Sequence, residues 1–289
     1  IPYTVNRKPS PMPGTLYIVA TPIGNLEDIS TRVRRILAEV SLIACEDTRH
    51  TRKLLSHLQL STPLTSYYRE KEQYKAEVLL EKLAAGQDIA LVSDAGTPGL
   101  SDPGAVLVRQ ARDAGIKVVP IPGPSALAVA ISVAGLEENS FFFGGFPPPK
   151  QAARRALFRG LAALPCPLVF YESPHRIRAC LEDCLVTLGD RQVLLCRELT
   201  KMYEECILGS VSALLDRIKA GIRGELVLIV HPPAATTDDR PENLPELLAW
   251  YHDQPDMTLK EAVRRISEDL GLPRNAVYQE ALSVWRRDE

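Results

Sequence analysis

The sequence has no long hydrophobic run, few aromatic residues and no cysteine pattern of a disulfide or zinc framework. Its most apolar stretch, residues 126–136, includes Ser132 and Gly135 and falls well short of the ~20 residues that span a bilayer. Residues 1–14 are rich in proline and polar side chains, unlike a signal peptide. Six scattered cysteines suit free thiols in a reducing compartment. We therefore expect a cytoplasmic protein with no membrane segment and no metal site.

Neither sign of charge is in large excess. The chain has 34 lysines and arginines against 36 acidic residues, a formal net charge of −2. This balance excludes a histone-like basic protein, so any nucleic-acid site must be a local patch. The 289 residues, 45% of them hydrophobic, are typical of a globular protein with two domains and room for a small third.

Several common catalytic motifs are also missing. No GxGxxG follows a predicted strand, and the chain has no Walker A sequence, no HExxH and no G-x-S-x-G. These absences disfavour a dinucleotide-binding Rossmann domain, a P-loop nucleotidase, a metalloprotease and a serine hydrolase.

Short β-branched runs alternate with segments of helical period. Strands are predicted at 15–20, 41–46, 88–94, 116–121, 141–146, 167–172, 192–198 and 225–230. Helices are predicted at 28–39, 48–58, 70–85, 101–114, 150–163, 174–187 and 210–219. This alternation predicts an α/β protein with parallel-rich sheets in two lobes, 14–135 and 136–232, joined by a hinge at 135–140.

The last part of the chain has a different pattern. Residues 233–240 have the composition of a linker, and we predict that they and residues 1–13 are flexible. Two helical apolar stripes around Gly271 predict a helix-turn-helix-like arm over 241–289. Its six basic residues against ten acidic ones favour a helical cap over a nucleic-acid contact.

Almost every predicted strand ends in a polar turn rich in glycine and proline. The turns cover residues 21–28, 46–49, 93–98, 122–126, 171–176 and 197–201. In open parallel sheets, ligands bind beyond the carboxyl ends of the strands, and loops that open helices offer N–H groups to anions. Six such turns favour a ligand crevice shared by both lobes over mere connections.

Single residues in these turns have competing interpretations. Asp94 ends an apolar strand, where a charge is costly without a partner or ligand. Asp47 suits a helix cap as well as a functional role, and Glu172 suits a cap or a ribose contact. Lys201 with Glu198 is either a functional pair or an exposed ion pair of little energy.

One predicted helix is basic without an acidic residue between positions 147 and 160. It carries four cations, Lys150, Arg154, Arg155 and Arg159. Because a solvated helix usually mixes charges, a helix of one sign favours contact with a polyanion. A shorter basic cluster follows Asp47: Arg49, Arg52 and Lys53.

Seven segments, in order, resemble the tetrapyrrole-methylase superfamily. They are TPIGNLEDIS (21–30), EDTRHTRKLL (46–55), SDAGTPGLSDPG (93–104), PIPGPSA (120–126), VFYESPHR (169–176), RELTK (197–201) and GELVLIV (224–230). Porphyrin-modifying members have a GxGxGDP-like first turn and Gly-Gly-Asp-Pro at the third strand. Here those places hold Thr-Pro-Ile-Gly-Asn and Asp-Ala-Gly-Thr-Pro, so the chain resembles the branch that methylates ribosomal RNA.

The resemblance implies an S-adenosylmethionine-dependent enzyme that methylates the ribose 2′-oxygen of a cytidine in the decoding centre of 16S (small-subunit) rRNA. It also implies a class III methyltransferase fold with the cofactor between the lobes, a homodimer, and the assembled 30S subunit or its naked rRNA as substrate. A tetrapyrrole C-methyltransferase, a small-molecule methyltransferase and a non-catalytic ribosome- or RNA-binding protein remain as alternatives.

The resemblance assigns the cofactor residues, while the catalytic and RNA-contacting candidates follow from the reaction chemistry and the basic clusters. Cofactor binding is expected at Pro22, Asp94, Gly96, Thr97, Ser125, Tyr171, Glu172, Gly224 and Glu225, with backbone amides near Gly96 facing the methionine carboxylate. Asp47 and Lys201, one from each lobe, are the catalytic candidates: a proton acceptor and a stabiliser of oxyanion charge. RNA contacts are expected at Arg49, Lys150, Arg154, Arg155, Arg159, His175 and Arg176.

Overall fold

The computed structural model describes residues 12–136, 140–233, 243–254 and 257–285. Most of the two segments predicted to be flexible (1–13 and 233–240) and part of the predicted hinge (135–140) lie outside the described residues. The chain divides into two compact units, Ile1–Pro232 and Pro233–Glu289. The first unit contains two five-stranded sheets.

The first sheet is entirely parallel, in the order β3-β2-β4-β1-β5. Its strands are β1 (Thr15–Val19), β2 (Leu42–Cys45), β3 (Leu64–Ser66), β4 (Ile89–Val92) and β5 (Lys117–Ile121). Four helices cover it: α1 (Thr31–Glu39), α2 (Thr48–His57), α3 (Glu72–Ala84) and α4 (Ala105–Asp113). Helices α1 and α2 pack on one face and α3 and α4 on the other. Burial on both faces explains why the central strand β4 is wholly apolar.

The second sheet has the order β6-β7-β10-β8-β9. Its strands are β6 (Phe142–Phe143), β7 (Leu168–Glu172), β8 (Gln192–Arg197), β9 (Glu205–Ser210) and β10 (Leu226–Val230). One face packs against α5 (Ala126–Ser132), and the other against α6 (Gln151–Leu161), α7 (Ile177–Leu188) and α8 (Val211–Arg217). Apolar side chains alternate between these two cores along each strand.

The predicted α/β class with a parallel-rich sheet is confirmed, but the second sheet is mixed. Only β6 and β7 pair in parallel, while β10 is antiparallel to both β7 and β8, and β9 is antiparallel to β8. Strands β7 and β8 therefore run in one direction and β10 in the other. The ends of β7 and β8 and the start of β10 lie at the same edge of the sheet.

The second unit contains helices α9 (Leu244–His252), α10 (Leu259–Leu270) and α11 (Arg274–Trp285). They share an apolar core that includes Leu248, Ile266 and Val277. Gly271 ends α10 in the left-handed conformation, with φ of +63°, which glycine adopts without steric cost. None of the helices among the described residues is long and apolar enough to cross a membrane.

Candidate functional site

A cavity of about 380 Å³ lies between the two lobes, at the strand ends of both sheets. Its volume falls within the range of small-molecule sites. Seven of the predicted cofactor residues line it: Asp94, Gly96, Thr97, Ser125, Tyr171, Glu172 and Glu225. Its walls are formed by the turns after β4 and β5 of the first sheet and by the turn after β7 and the start of β10 in the second sheet. Within each sheet, these strand ends lie at the same edge.

The charged lining of this cavity is entirely acidic. Four acidic residues line it, Asp94, Asp102, Glu172 and Glu225, and none of the described residues in its lining is a lysine, an arginine or a histidine. Burial raises the pKa of Asp102, and the neighbouring negative charge of Asp94 raises it further. A hydrogen bond with Ser93 acts in the opposite direction but is outweighed. Closely placed carboxylates favour a cationic ligand. We call this space the acidic cavity.

Glu172 is the most buried carboxylate of the acidic cavity, with 3% of its surface exposed. One of its oxygens accepts a hydrogen bond from the Ser173 N–H at 2.9 Å. The other lies 3.2 Å from the Arg176 guanidinium but has no hydrogen-bond partner. Burial raises the pKa of Glu172. The Glu172 side chain is wholly buried, so it anchors Arg176 and the Ser173 N–H at the wall of the cavity.

Tyr171 provides an aromatic wall and ties the two lobes together. Its hydroxyl oxygen accepts a hydrogen bond from the Leu127 N–H, at 3.2 Å, in the first turn of α5. Its ring meets the rings of Phe143 and Phe146 edge-on, with centroids 5.0 and 5.6 Å apart. This packing gives the acidic cavity a rigid apolar side suited to a flat heterocycle.

The turn after β4 is fixed by an antiparallel bridge to the turn after β1. The N–H of Gly96 donates to the Thr21 carbonyl at 3.0 Å, and the Thr21 N–H donates to the Gly96 carbonyl at 2.8 Å. The Gly96 N–H is therefore already used, so any amide offered to the methionine carboxylate would come from a neighbouring residue. Gly96 is required for its backbone, which has φ of +81°.

A second cavity, of about 290 Å³, shares a wall with the acidic cavity. Four residues line both: Ile23, Asp94, Ala95 and Glu225. The remaining walls include three basic side chains, His50, Lys53 and Lys201, and Pro22, which was predicted to bind cofactor. We call this space the lysine cavity. The ninth predicted cofactor residue, Gly224, lines neither cavity and lies against Glu198.

Lys201 is held as a charged group between the lobes. Its Nζ lies 2.9 Å from both a Glu198 and a Glu225 carboxylate oxygen. Burial acts to lower the pKa of Lys201, but these two ion pairs outweigh it and raise that pKa. Lys201 is therefore a permanent cation and not a proton acceptor.

The turn that carries Lys201 is strained and fitted to the first lobe. Glu198 and Thr200 both have positive φ, +50° and +68°, which is costly for residues with a Cβ. The Thr200 hydroxyl accepts a hydrogen bond from the Asn25 N–H at 3.1 Å. A Cβ added to Gly24 would lie 2.4 Å from Lys201 Cγ. Gly24 thus allows the two lobes to approach at this point.

Asp47 is a helix cap and does not share a cavity with Lys201. Its carboxylate accepts the Arg49 N–H at 2.7 Å and pairs with the Arg49 guanidinium at 2.8 Å. These bonds hold the pKa of Asp47 far below its usual range, so the carboxylate is a weak base. Asp47 lines neither cavity. The structure contradicts the prediction of Asp47 as a proton acceptor beside Lys201.

The basic helix α6 is compensated from the next helix, so the prediction of an unpaired patch is wrong. Arg154 is 4% exposed and pairs with the buried Asp183 of α7 at 2.5 Å. Arg155 pairs with the same carboxylate at 2.6 Å. These two arginines hold α6 against α7, and Arg154 has no surface to offer RNA. Lys150 and Arg159 are exposed.

The other predicted RNA residues differ in their availability. Arg176 pairs with Glu172 and donates to the Pro147 carbonyl, so its guanidinium serves the acidic cavity. Arg49 is 85% exposed but paired with Asp47. His175 is exposed beside the cavity residues 173 and 174.

Sequence reasoning missed several residues that line the cavities. Asp102, Ser101 and Phe146 line the acidic cavity, and His50 and Lys53 line the lysine cavity. Asp102 lies in segment 93–104, which resembles the family, and Lys53 lies in the short basic cluster. Both residues could therefore have been predicted from the sequence. Among the described residues, no group of three or more His, Cys, Asp or Glu side chains is placed so that it could hold a metal ion.

The chain matches the family described as Tetrapyrrole (Corrin/Porphyrin) Methylases over residues 15–215. It is 47% identical over 273 residues to Ribosomal RNA small subunit methyltransferase I of Escherichia coli O157:H7, covering 93% of this chain and 95% of that protein. It is 46% identical to the protein of that name from Vibrio cholerae serotype O1, covering 91% and 93%.

A solved structure with the same fold is uroporphyrin-III C-methyl transferase from Thermus thermophilus in complex with S-adenosylhomocysteine. The TM-score is 0.56 with 19% sequence identity, covering 75% of this chain and 97% of that one. At this identity the likeness establishes the fold alone.

Proposed function

The chain belongs to the tetrapyrrole methylase family and, within it, to the ribosomal RNA small subunit methyltransferase I group, and we propose that it methylates the ribose 2′-oxygen of a cytidine in the decoding centre of small-subunit rRNA. S-adenosylmethionine is the methyl donor. The observation that carries this proposal is the pair of adjoining cavities: the charged residues of one are all acidic, and the other has basic side chains as well.

The acidic cavity fits S-adenosylmethionine by charge and shape. The sulfonium and ammonium groups of the cofactor are cations, and Asp94, Asp102 and Glu225 give the cavity the opposite charge. Tyr171 provides an apolar wall for adenine, beside Glu172 in the lining of the same cavity. The bound cofactor supplies an electrophilic methyl group.

The lysine cavity holds the acceptor. A ribose hydroxyl is a poor nucleophile at neutral pH, so developing negative charge on its oxygen must be stabilised. Lys201, permanently charged by its two carboxylate partners, performs this role. Asp94 lines both cavities, so we assign it as the group that receives the hydroxyl proton. The Asp47 N–H donates to Asp94 at 3.0 Å and orients it.

The decisive experiment incubates the protein with labelled S-adenosylmethionine and, in parallel, isolated small subunits, naked small-subunit rRNA or tetrapyrrole precursors. We expect label at one cytidine 2′-oxygen of the rRNA, most of it with assembled subunits. Label in a tetrapyrrole would overturn the proposal. Sedimentation of the purified protein tests the proposed homodimer.

Two variants test the assignments. Lys201→Met and Asp94→Asn should each lower the single-turnover rate by about 10²-fold. Calorimetric titration of each variant with S-adenosylmethionine separates the chemical step from cofactor affinity. An unchanged rate at saturating cofactor would remove that residue from the mechanism.

A further inference from the structure

We infer that helix α2 binds the sugar–phosphate backbone of the substrate RNA, with Lys53 and His50 holding the phosphate that follows the methylated ribose. This inference rests on the proposed function and adds an RNA-binding surface to it. It transfers the principal RNA contact from α6, where the sequence placed it, to α2.

Helix α2 is basic and exposed along one side. Between positions 48 and 57 it carries Arg49, His50, Arg52, Lys53 and His57 and no acidic residue. Arg49, His50, Arg52 and Lys53 are all exposed. Among the described residues, the ion pairs of this helix involve Arg49 alone, and neither Arg52 nor Lys53 has an acidic partner.

The apolar side of α2 fixes the direction of this basic surface. Leu54 and Leu55 are buried against the first sheet. His50 and Lys53, three residues apart, lie on one side of the helix and line the lysine cavity. The same helix therefore reaches both the acceptor position and the solvent beside it.

The chemistry of RNA explains why a cation belongs at this position. In a polynucleotide, the 2′-oxygen and the 3′-phosphate are carried by adjacent carbons of one ribose. Any site that presents the 2′-oxygen must therefore accommodate a phosphate close by. Of the three basic groups in the lysine cavity, Lys201 is held by Glu198 and Glu225 and is assigned to the acceptor oxygen, which leaves His50 and Lys53 for the phosphate.

An anionic group beside Lys53 also makes a measurable prediction about salt. A phosphate contact releases condensed counterions and makes affinity fall with salt, by about 0.7 in the log–log slope per contact for single strands. Arg52, exposed on the same helix, continues the basic surface away from the cavity toward a neighbouring nucleotide.

The test compares two double variants of equal charge change. Arg52→Ala/Lys53→Ala alters α2, and Arg109→Ala/Arg112→Ala removes two exposed arginines from α4, on the opposite face of the same sheet. Binding is measured with a fluorescent single-stranded RNA containing the acceptor cytidine and with isolated small subunits, across a salt series. Methylation of subunits gives kcat and KM.

The α2 variant should bind both RNA and subunits roughly tenfold more weakly, with a salt slope flattened by about 0.7 per lost contact. The α4 variant should match the parent. His50→Ala and Lys53→Ala should each raise KM more than they lower kcat, and Lys53→Arg should restore KM because it keeps the charge. Affinity for S-adenosylmethionine should not change in any of them.

Equal effects of the α2 and α4 variants, or an α2 variant with the parental salt slope, would overturn the inference. Weaker binding to subunits with unaltered binding to RNA would assign α2 to a ribosomal protein instead, and would also overturn it. A parent protein that methylates no rRNA would refute the proposed function itself. The two failures are therefore distinguishable.

Discussion

Helices α2 and α6 look alike in sequence and differ in what lies opposite them. Each carries several cations and no acidic residue of its own. In α6, Arg154 and Arg155 both form ion pairs with the buried carboxylate of Asp183, so these charges hold α6 against α7. In α2, Arg52 and Lys53 face outward, and Lys53 lines a cavity. A cationic helix is a binding surface only when the neighbouring element leaves its charges unpaired.

The largest expected effect is a loss of stability when the ion pairs of α6 are removed. Asp183→Ala should destabilise the protein by about 3–5 kcal/mol, because two guanidinium groups lose a buried partner. Denaturant unfolding measures the loss. The neighbouring Glu182→Ala is the control, since its pair with Arg178 is exposed and worth about 0–1 kcal/mol. Similar losses in both variants would show that the Asp183 cluster is not an anchor.

The same cluster predicts a dependence of stability on pH. Burial acts to raise the pKa of Asp183, but hydrogen bonds from Arg155 and Arg154 outweigh it and lower that pKa. A carboxylate with a lowered folded-state pKa stabilises the fold above its unfolded pKa, near 4. The free energy of unfolding should therefore fall as the pH drops below about 4. In Asp183→Asn this part of the acid dependence should be missing, as denaturant titrations at several pH values would reveal.

A smaller effect is expected at the start of α2. Asp47→Ala should cost about 1 kcal/mol, whereas Asp47→Asn should be nearly neutral because asparagine caps helices as well as aspartate. Both variants should retain methyl transfer if Asp47 only caps the helix and orients Asp94 through its backbone. Loss of turnover in a stable Asp47→Asn protein would restore Asp47 as a catalytic residue.

The smallest effect is expected for two exposed cations, Lys150 just before α6 and Arg159 within it. Lys150→Ala/Arg159→Ala should change RNA affinity by less than about twofold at physiological salt, where solvent screens exposed charges beyond the Debye length. The stability of this variant should stay within about 0.5 kcal/mol of the parent. If the salt dependence of RNA binding were flattened as much as in the α2 variant, α6 would contact RNA after all.

The sequence predicted the strands of the first sheet well because each central strand is a short apolar run between polar turns. It missed β3, which has only three residues. It missed α5 as well, because this helix packs against the second sheet and has no polar side to mark a helical period. It also missed β9, an edge strand with exposed Cys206 and Leu208. Edge strands lack the continuous burial that marks a central strand.

For the site, too, features set by neighbouring residues could be predicted from the sequence, and contacts between distant residues could not. The turns after β4, β5 and β7 were found from composition, and they line the acidic cavity. The pairing of Arg154 with Asp183 joins residues 29 positions apart, which no charge count along one helix can detect. The two bonds of Lys201 likewise depend on β10 running antiparallel to β8.

The wall shared by the two cavities has a thermodynamic consequence. Ile23, Asp94, Ala95 and Glu225 line both cavities, so a ligand that shifts these residues from one side changes the affinity of the other side. Linkage then requires reciprocity: the factor by which S-adenosylmethionine tightens RNA binding equals the factor by which RNA tightens S-adenosylmethionine binding. A single measured affinity ratio would therefore give the coupling in both directions.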